Sequence, residues 1–222
     1  MILTFGTYNL EYGGIDHGSD ARLRRQLALL DDAGADVWAL QECNWGGSGA
    51  LYLAEQALGM RGFLARSARH PRGGLAVLVC ETSGITITGT RHEEGPPYWH
   101  GVAVVHAEVA GFGPLRFASA HLAPSSPAQR LIESEALALL AEKDDLGPLV
   151  IGGDWNAVPV GGPAPDTGGI HPGKARRKLD SRAAGALAEY MTDAGACLGA
   201  TAPTVGHRSA DRLAYLCDRV YT

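Results

Sequence analysis

Short apolar runs, several rich in β-branched residues, recur along the whole chain, and several end directly in a polar side chain. The clearest run is Leu75–Val79, five consecutive apolar residues, which is typical of a buried strand. The other predicted strands are Ile2–Tyr8, Asp36–Leu40, Ile85–Thr90, Val102–Val109, Leu115–His121, Pro148–Ile151 and a strand around Leu213–Tyr221. So many strands require the chain to build one or two sheets.

Amphipathic segments lie between several of these strands and predict helices. Ser126-Pro127 is a strong helix start, with a capping hydroxyl and a proline at the first helical position, and Gln129 is expected to complete a capping box. Gly161–Gly173 is rich in Gly and Pro and is predicted to be a loop. The predicted helices are one that begins at Ser19 or Asp20 and stops at Gly34, then Ala50–Leu58, Ser126 to about Lys143, and Ser181–Asp193. Strands joined partly by helices and partly by hairpins predict a mixed α/β protein with helices outside the sheets.

Composition excludes several classes of protein. The chain has 222 residues, a net charge of −5 and 45% hydrophobic residues, so disorder, collagen and a coiled coil are excluded. No linker divides it, which predicts one domain over residues 1–222. No apolar run reaches membrane-spanning length, and the N-terminal residues do not have the pattern of a signal peptide, so we expect neither a membrane span nor a secretion signal. The four cysteines form no C-x-x-C pair, which favours small core side chains in a reducing compartment over a zinc site. We therefore expect a cytoplasmic location.

Polar residues at the strand ends are the most informative feature for function. Asn9, Glu42, His121 and Asp154 each directly follow or end an apolar run, and Asn156 comes two residues after Asp154. Any one of them alone is explained as a turn former, a surface charge or a satisfied polar residue. Several strands ending in this way at one rim would instead gather their side chains in a single cleft.

Five segments contain these residues, in the order TYNLEYGG, LQEC, SAHLAP, GGDWNAVP and CDRVYT. In this order and spacing they resemble the endonuclease/exonuclease/phosphatase superfamily, the deoxyribonuclease I-like proteins. The resemblance extends from Thr7 to Tyr221. It implies a four-layer α/β/β/α sandwich of two sheets flanked by helices, in agreement with the pattern of elements.

The resemblance also implies roles for the five residues. Glu42 matches the metal-binding glutamate, and Asn9 matches the asparagine that helps to hold the metal. Asp154 and Asn156 match the pair that orients the attacking water and contacts the scissile phosphate, and His121 matches the histidine of proton transfer. Oxygen ligands suit Mg²⁺ or Mn²⁺, and an imidazole can carry a proton near neutral pH.

A sixth residue, Asp218, best matches the aspartate that orients a catalytic histidine in this superfamily. The match departs from the family pattern in two ways. Leu216 stands where the family often has arginine, and residues 212–215 can be aligned with the same motif instead, which would put Ala214 at the position of the aspartate. The closing S-D-H motif of the family is absent from the chain. Either the chain is truncated, or the site is degenerate, or another histidine takes the place of the missing one, for which His207 and His100 are the candidates.

These features predict a divalent-metal-dependent phosphodiester hydrolase, with a nuclease favoured. The alternatives are a phosphatase or phospholipase-like hydrolase of a small-molecule or lipid phosphate ester, and a non-catalytic scaffold with an incomplete site. Two basic patches, Lys174–Lys178 and the looser set Arg66, Arg69 and Arg72, could contact a polyanionic substrate or be solvated surface. Tyr98–His100 could stack on a base or pack at the rim.

Overall fold

The computed structural model describes residues 2–47, 49–67, 73–143, 146–206 and 213–222, which build two sheets packed face to face. The strands are β1 (Phe5–Asn9), β2 (Val37–Gln41), β3 (Arg61–Ala65), β4 (Leu75–Val79), β5 (Ile85–Thr90), β6 (Val102–Val109), β7 (Gly113–His121), β8 (Leu149–Asp154) and β9 (Asp218–Tyr221). The helices are α1 (Ala21–Ala33), α2 (Ala50–Leu58), α3 (Pro127–Ala141), α4 (Pro172–Lys178), α5 (Arg182–Ala188) and α6 (Ala194–Cys197).

The sheets are mixed, and they lie between two helical layers. The first has the order β1-β2-β4-β3 and the second the order β5-β6-β7-β8-β9. Only β1/β2 and β7/β8 pair in parallel among the described strands. Helices α1 and α2 cover the first sheet, and α3 and α5 cover the second. The predicted four-layer α/β/β/α sandwich is confirmed.

The core between the sheets consists of alternate strand residues, as the two-residue period of a strand requires. Val77, Val105 and Phe117 are fully buried there. The sheets approach closely at Gly152 of β8, where an added Cβ would lie 2.7 Å from the Cβ of Thr7 and 3.0 Å from that of Ala39. This close approach brings the ends of β1 and β8 next to each other.

Helix ends follow the predicted signals in part. Gly34 ends α1 in the left-handed conformation, with φ of 65°, and the Ser126 hydroxyl accepts the backbone N–H of Gln129 at 3.2 Å. The predicted capping box does not form, because the Gln129 side chain donates instead to the carbonyl of Pro97. Asp20 occupies the N-cap position of α1, but its side chain binds Arg24.

Several predicted boundaries are also wrong. Strand β1 begins at Phe5, because the backbone and hydroxyl of Thr4 are bound by the Asp36 carboxylate. Strand β9 begins only at Asp218. Tyr215, which was predicted to belong to this strand, instead forms an isolated antiparallel bridge with Val205.

The largest differences from prediction lie in β3 and near α4. Strand β3 was not predicted; it is an edge strand whose alternation is weakened by Gly62. The predicted loop ends at His171, whose ring accepts the N–H of Gly173 and caps α4. The helix predicted over Ser181–Asp193 ends already at Ala188 as α5, and α6, which begins at Ala194, was not predicted. Four residues considered from the sequence lie outside the described residues: Arg69, Arg72, His207 and Arg212.

Candidate active site

The strand register gathers the predicted polar residues at one edge of the two sheets. In the first sheet Asn9 pairs with Gln41, so Glu42 follows at the same edge. In the second, His121 pairs with Asp154. Asp154 in turn pairs with the first residue of the antiparallel β9, Asp218. Because β1 and β2, like β7 and β8, run in parallel, their carboxyl ends open on the same side.

Asn9 joins the two sheets through its side chain. Its Nδ2 donates to Glu42 Oε1 at 3.2 Å and to Asp154 Oδ2 at 3.1 Å, and its Oδ1 accepts the N–H of Glu11. The other Glu42 oxygen accepts the N–H of Tyr12 at 2.9 Å. Two carboxylates from distant parts of the chain therefore converge on one amide group.

Asp154 is the most heavily bonded carboxylate of the site. Its Oδ1 accepts the N–H of Asn156 at 2.9 Å and the thiol of Cys217 at 2.8 Å, and its Oδ2 lies 3.7 Å from Nε2 of His121. Burial acts to raise the pKa of Asp154, but His121 and the hydrogen bonds outweigh it and lower the pKa. Asp154 therefore remains ionised.

Asp218 behaves in the opposite way. Burial and the neighbouring Asp154 carboxylate raise the pKa of Asp218 to about 7, so that it is partly protonated near neutral pH. Its Oδ1 is buried and has no hydrogen-bond partner among the described residues. Two carboxyl groups with pKa values pushed apart are typical of sites that perform acid–base chemistry.

His121 is buried at the end of β7, and its ring stacks on that of His100. The ring centroids are 4.2 Å apart and the planes differ by 18°. Gly73 lies directly against His100, because a Cβ on Gly73 would be 2.3 Å from Nδ1 of that ring. The stacking fixes the imidazole that faces Asp154.

Asn156 is held by three contacts, and among the described residues one of its amide hydrogens has no acceptor. Its backbone N–H binds Asp154, its Nδ2 donates to the carbonyl of Leu122 at 3.0 Å, and its Oδ1 accepts Nζ of Lys178 at 2.8 Å. An asparagine Nδ2 carries two hydrogens, so the second can reach a substrate oxygen.

Two of the site residues have a backbone conformation that is uncommon outside glycine. Glu42 has φ of 58° and Asn156 has φ of 49°. Positive φ values in non-glycine residues cost free energy and cluster at functional sites. Both residues turn the chain sharply just past a strand end, which aims their side chains at the cleft.

Helix α3 ties together the loops that surround the site. Glu133 accepts the backbone N–H of Trp99 at 2.5 Å and of Ala123 at 2.8 Å. Arg130, which is fully buried, donates to the carbonyls of Ala123 and Arg177. These two charged side chains fix the segments next to His100, His121 and Lys178 without entering the cleft. Burial raises the pKa of Glu133 to about 7.

The donor groups of this cleft fit a hard divalent cation. Glu42 and Asp154 supply carboxylate oxygens at one point, with the neutral amide of Asn9 between them. The other oxygen of Glu42 accepts the N–H of Tyr12. A cation would relieve the repulsion of the two carboxylates, and Mg²⁺ commonly binds one or two carboxylates and keeps several waters. In the described parts of the chain, no group of three or more His, Cys, Asp or Glu residues is arranged to hold a metal. The cysteines are free thiols, with Cys43 and Cys217 buried.

The sequence matches the model of the Endonuclease/Exonuclease/phosphatase family over residues 6–220. The chain belongs to this family. Family membership indicates a phosphoric ester hydrolase. A search of curated protein sequences found no match.

Solved structures of the endonuclease/exonuclease/phosphatase fold resemble the chain over almost its whole length. Humanized TDP2 from D. rerio is 16% identical, with a TM-score of 0.69 over 99% of this chain and 82% of that one. An AP endonuclease from Archaeoglobus fulgidus is 15% identical, with a TM-score of 0.63 over 99% and 86%. ANGEL2, described as a 2′,3′-cyclic phosphatase, is 14% identical, with a TM-score of 0.63 over 99% and 81%. At these identities the likeness establishes the fold.

The sequence did not single out several residues that the structure places in or beside the site. Lys178 was one of five residues in a basic cluster, and Cys217, Arg130 and Glu133 received no role. The position of Lys178 could have been found from Pro172 and from the apolar Ala175 and Leu179, which indicate a helix with one inward face.

None of the described helices is long and apolar enough to cross a membrane.

Proposed function

We propose that this protein hydrolyses phosphodiester bonds with the help of a divalent cation, Mg²⁺ or Mn²⁺, and that its substrate is a nucleic acid. The observation that carries the proposal is the convergence of Glu42, Asp154 and His121 from three strand ends on one cleft, linked through Asn9. A phosphodiester is anionic and repels the nucleophile, so the site must orient water, withdraw its proton and stabilise the leaving oxygen.

Each residue of the cleft has a part in such a reaction. Asp154, which stays ionised, accepts the proton of the attacking water at Oδ2. Nε2 of His121 lies 3.7 Å from Oδ2 of Asp154, and His121 delivers a proton to the leaving oxygen. Asn156 donates its second amide hydrogen to a phosphoryl oxygen.

Glu42 and Asn9, with Asp154, would hold the cation. When bound, Mg²⁺ or Mn²⁺ supplies Lewis-acid stabilisation of negative charge on phosphoryl oxygens. Asp218 stands beside Asp154 and is partly protonated near neutral pH, which reduces the negative charge that the substrate meets.

A nucleic acid is favoured by the charge and the aromatic surface near the cleft. Arg176 and Arg177 are exposed on α4, whose last residue, Lys178, reaches the site. Trp99 is 38% exposed on the segment next to His100, while Tyr98 is buried. Exposed arginines bind phosphates, and an exposed indole can stack on a base. The TDP2 structure from D. rerio with a single-strand DNA product has a TM-score of 0.65 to this chain.

One observation favours the alternative of a smaller phosphate ester. A cavity of about 430 Å³ is lined by residues that follow Asn156 and precede Cys217, among them Val158, Tyr215 and Leu216. None of the described residues that line it is charged. An uncharged cavity beside a phosphate site suits a substrate with an apolar group, such as a lipid or aromatic phosphate ester.

The test is a substrate panel with matched variants. The protein is assayed on single-stranded DNA, RNA, plasmid DNA, bis(p-nitrophenyl) phosphate and a phospholipid, with Mg²⁺, with Mn²⁺ and with a chelator. We expect chelation to abolish hydrolysis, and Asp154→Asn or His121→Ala to lower kcat/KM by about 10²–10⁴. Asp32→Asn, an exposed carboxylate on α1, is the control. Full activity of Asp154→Asn, or full activity in chelator, would contradict the proposal.

We also propose that the protein acts in the cytoplasm. The support is that all four cysteines are free thiols. Cys43 is buried in the core of the first sheet, and Cys217 is buried beside the site. Fractionation of cells expressing a tagged protein tests this proposal, and recovery outside the cytoplasm would contradict it.

A further inference from the structure

Lys178 differs from the rest of the basic cluster to which it belongs. Lys174, Arg176 and Arg177 are exposed on α4, but Lys178 is half-buried, and its Nζ donates to Oδ1 of Asn156 at 2.8 Å. A lysine ammonium has three N–H donors. Among the described residues only Asn156 accepts one of them, so donors remain for another ligand.

The backbone of Lys178 is held in place from two sides. Ala175 of α4 is buried, and Leu179 packs against Leu213, Tyr215 and Cys217. On the other side, the fully buried Arg130 of α3 donates to the carbonyl of Arg177, directly before Lys178. Lys178 is therefore anchored at the site, unlike a surface lysine that swings through solvent.

The charge around Lys178 explains what the ammonium can do. Burial is the largest effect on its pKa and lowers it; Asp154 and Cys217 act to raise it, and Arg130 acts to lower it. Asp154 and Glu42 make the cleft acidic, and an anionic phosphodiester would be repelled by them. A partly desolvated ammonium at a fixed point interacts with phosphate far more strongly than one in bulk water.

We propose that Lys178 is a further catalytic residue, whose ammonium binds a non-bridging oxygen of the scissile phosphate beside the free amide hydrogen of Asn156. This inference rests on the proposed phosphodiester hydrolysis. In that reaction the water oxygen bonds to phosphorus as the bond to the leaving oxygen breaks. The water proton goes to Asp154, and a proton from His121 goes to the leaving oxygen. Lys178 keeps all three of its protons and stabilises the charge on the phosphoryl oxygens.

Lys178→Met, Lys178→Arg and the control Lys143→Met, an exposed residue just past the end of α3, test the proposal with bis(p-nitrophenyl) phosphate. We expect Lys178→Met to lower kcat/KM by about 10²–10³ and Lys178→Arg to restore part of the loss. Lys143→Met should remain within about twofold of the wild type, as expected for a surface substitution. Urea unfolding of each variant shows whether the fold is intact. A Lys178→Met protein that is folded and fully active would overturn the proposal.

A second comparison separates a direct contact with phosphate from an effect through Asn156. If Lys178 only positions Asn156, then Lys178→Met has no further effect in an Asn156→Ala background, and that result would overturn the proposal. If Lys178 touches the phosphate, the double variant is slower than Asn156→Ala alone by about 10-fold or more.

Binding of inorganic phosphate tests Lys178 even if the proposed reaction fails. Titration of the metal-free protein in chelator, followed by ³¹P line broadening, should show phosphate binding that weakens about 10-fold or more in Lys178→Met. Equal affinity of the two proteins would overturn the inference. Absence of hydrolysis by the wild type on every substrate would instead refute the proposed function.

Discussion

At the scale of single residues, Asn9 is the part of the site that connects the two sheets. Its amide nitrogen binds one carboxylate from each sheet, Glu42 and Asp154. Groups that orient metal-binding carboxylates in this way commonly change metal affinity by about 10–100-fold when they are removed. Asn9 therefore sets the separation of the two oxygens that would hold the cation.

We predict that Asn9→Ala weakens Mn²⁺ binding by about 10–100-fold. The loss follows because the carboxylates of Glu42 and Asp154 would no longer be held at one point. Titration with Mn²⁺, followed by electron paramagnetic resonance, measures the change, with Asp32→Asn as the control. An unchanged Mn²⁺ affinity in Asn9→Ala would show that Asn9 has no part in holding the ion.

Glu133 gives a prediction about pH and stability. Burial raises its pKa from 4.5 to about 7, so the folded protein binds the proton more tightly than the unfolded chain does. Stability from this group is therefore fully present below about pH 4.5 and falls as the pH rises through about 7, by at most about 3 kcal/mol.

The comparison is between the wild type and Glu133→Gln in urea unfolding from about pH 5 to 7.5, the range between the two pKa values and just above. We expect the free energy of unfolding to decrease less steeply with rising pH in Glu133→Gln than in the wild type. The variant is also less stable overall, because it loses a hydrogen-bond acceptor. Parallel curves for the two proteins would show that Glu133 does not titrate in this range.

Some site residues could be predicted from the sequence and others could not. Asn9, Glu42 and Asp154 stand immediately past or at the ends of apolar runs, and strand geometry alone gathers such residues at a sheet edge. Their roles as ligand, base or acid remain predictions from the family resemblance. Lys178 is different: the local pattern indicates a short helix with one inward face, but the contact of Lys178 with Asn156 depends on where the tertiary fold places α4, and no local pattern encodes that placement.

At the scale of elements, the parallel pairs β1/β2 and β7/β8 determine where the site forms. Beneath it, the fully buried Gln41 donates to the hydroxyls of Thr7 and Ser119, which links the two sheets. The sheets can approach this closely because Gly152 has no side chain.

We predict that Gly152→Ala destabilises the protein by about 1–3 kcal/mol, because the new methyl group would overlap Thr7 and Phe5. Gly185→Ala is the matched control, since its Cβ would meet nothing within 4 Å and it lies within α5. In a helix this change should stabilise by about 0.5–1 kcal/mol. Urea unfolding measures both, and equal stability of Gly152→Ala and wild type would show that the two sheets can separate there without cost.

The elements that the sequence mispredicts have specific causes. Strand β3 lies at a sheet edge and is half exposed, so its apolar pattern is weak. Helix α4 is short and mostly basic, and its N-terminal signals lie within a Gly- and Pro-rich stretch that favours a loop. By contrast, β4 is a continuous apolar run and β5 and β6 are rich in β-branched residues, and the predicted bounds of all three are those observed.

At the scale of the whole molecule, the chain is acidic overall but carries exposed arginines next to the cleft. A net charge of −5 repels a nucleic acid at a distance. Arg176 and Arg177 oppose this repulsion locally. If the substrate is a nucleic acid, its binding must depend on salt through these contacts.

We predict that joint replacement of Arg176 and Arg177 by alanine weakens binding of single-stranded DNA and lowers its salt dependence. The slope of log K against log salt should become shallower by about 1–1.5 units, because each phosphate contact contributes about 0.7. Fluorescence anisotropy in an Asp154→Asn background, which prevents cleavage, measures it, with Lys143→Ala as the control. A slope equal to that of the parent protein would favour the smaller phosphate ester as substrate.

The central claim, that side chains from separate strands act as one catalytic unit, is tested most directly by kcat for Glu42→Gln, Asp154→Asn and the double variant. If the two carboxylates serve one cation and one reaction, each single change removes most of the activity, and the double variant is about as slow as the slower single variant. Losses that multiply in the double variant, or a Glu42→Gln protein with wild-type activity, would contradict the account.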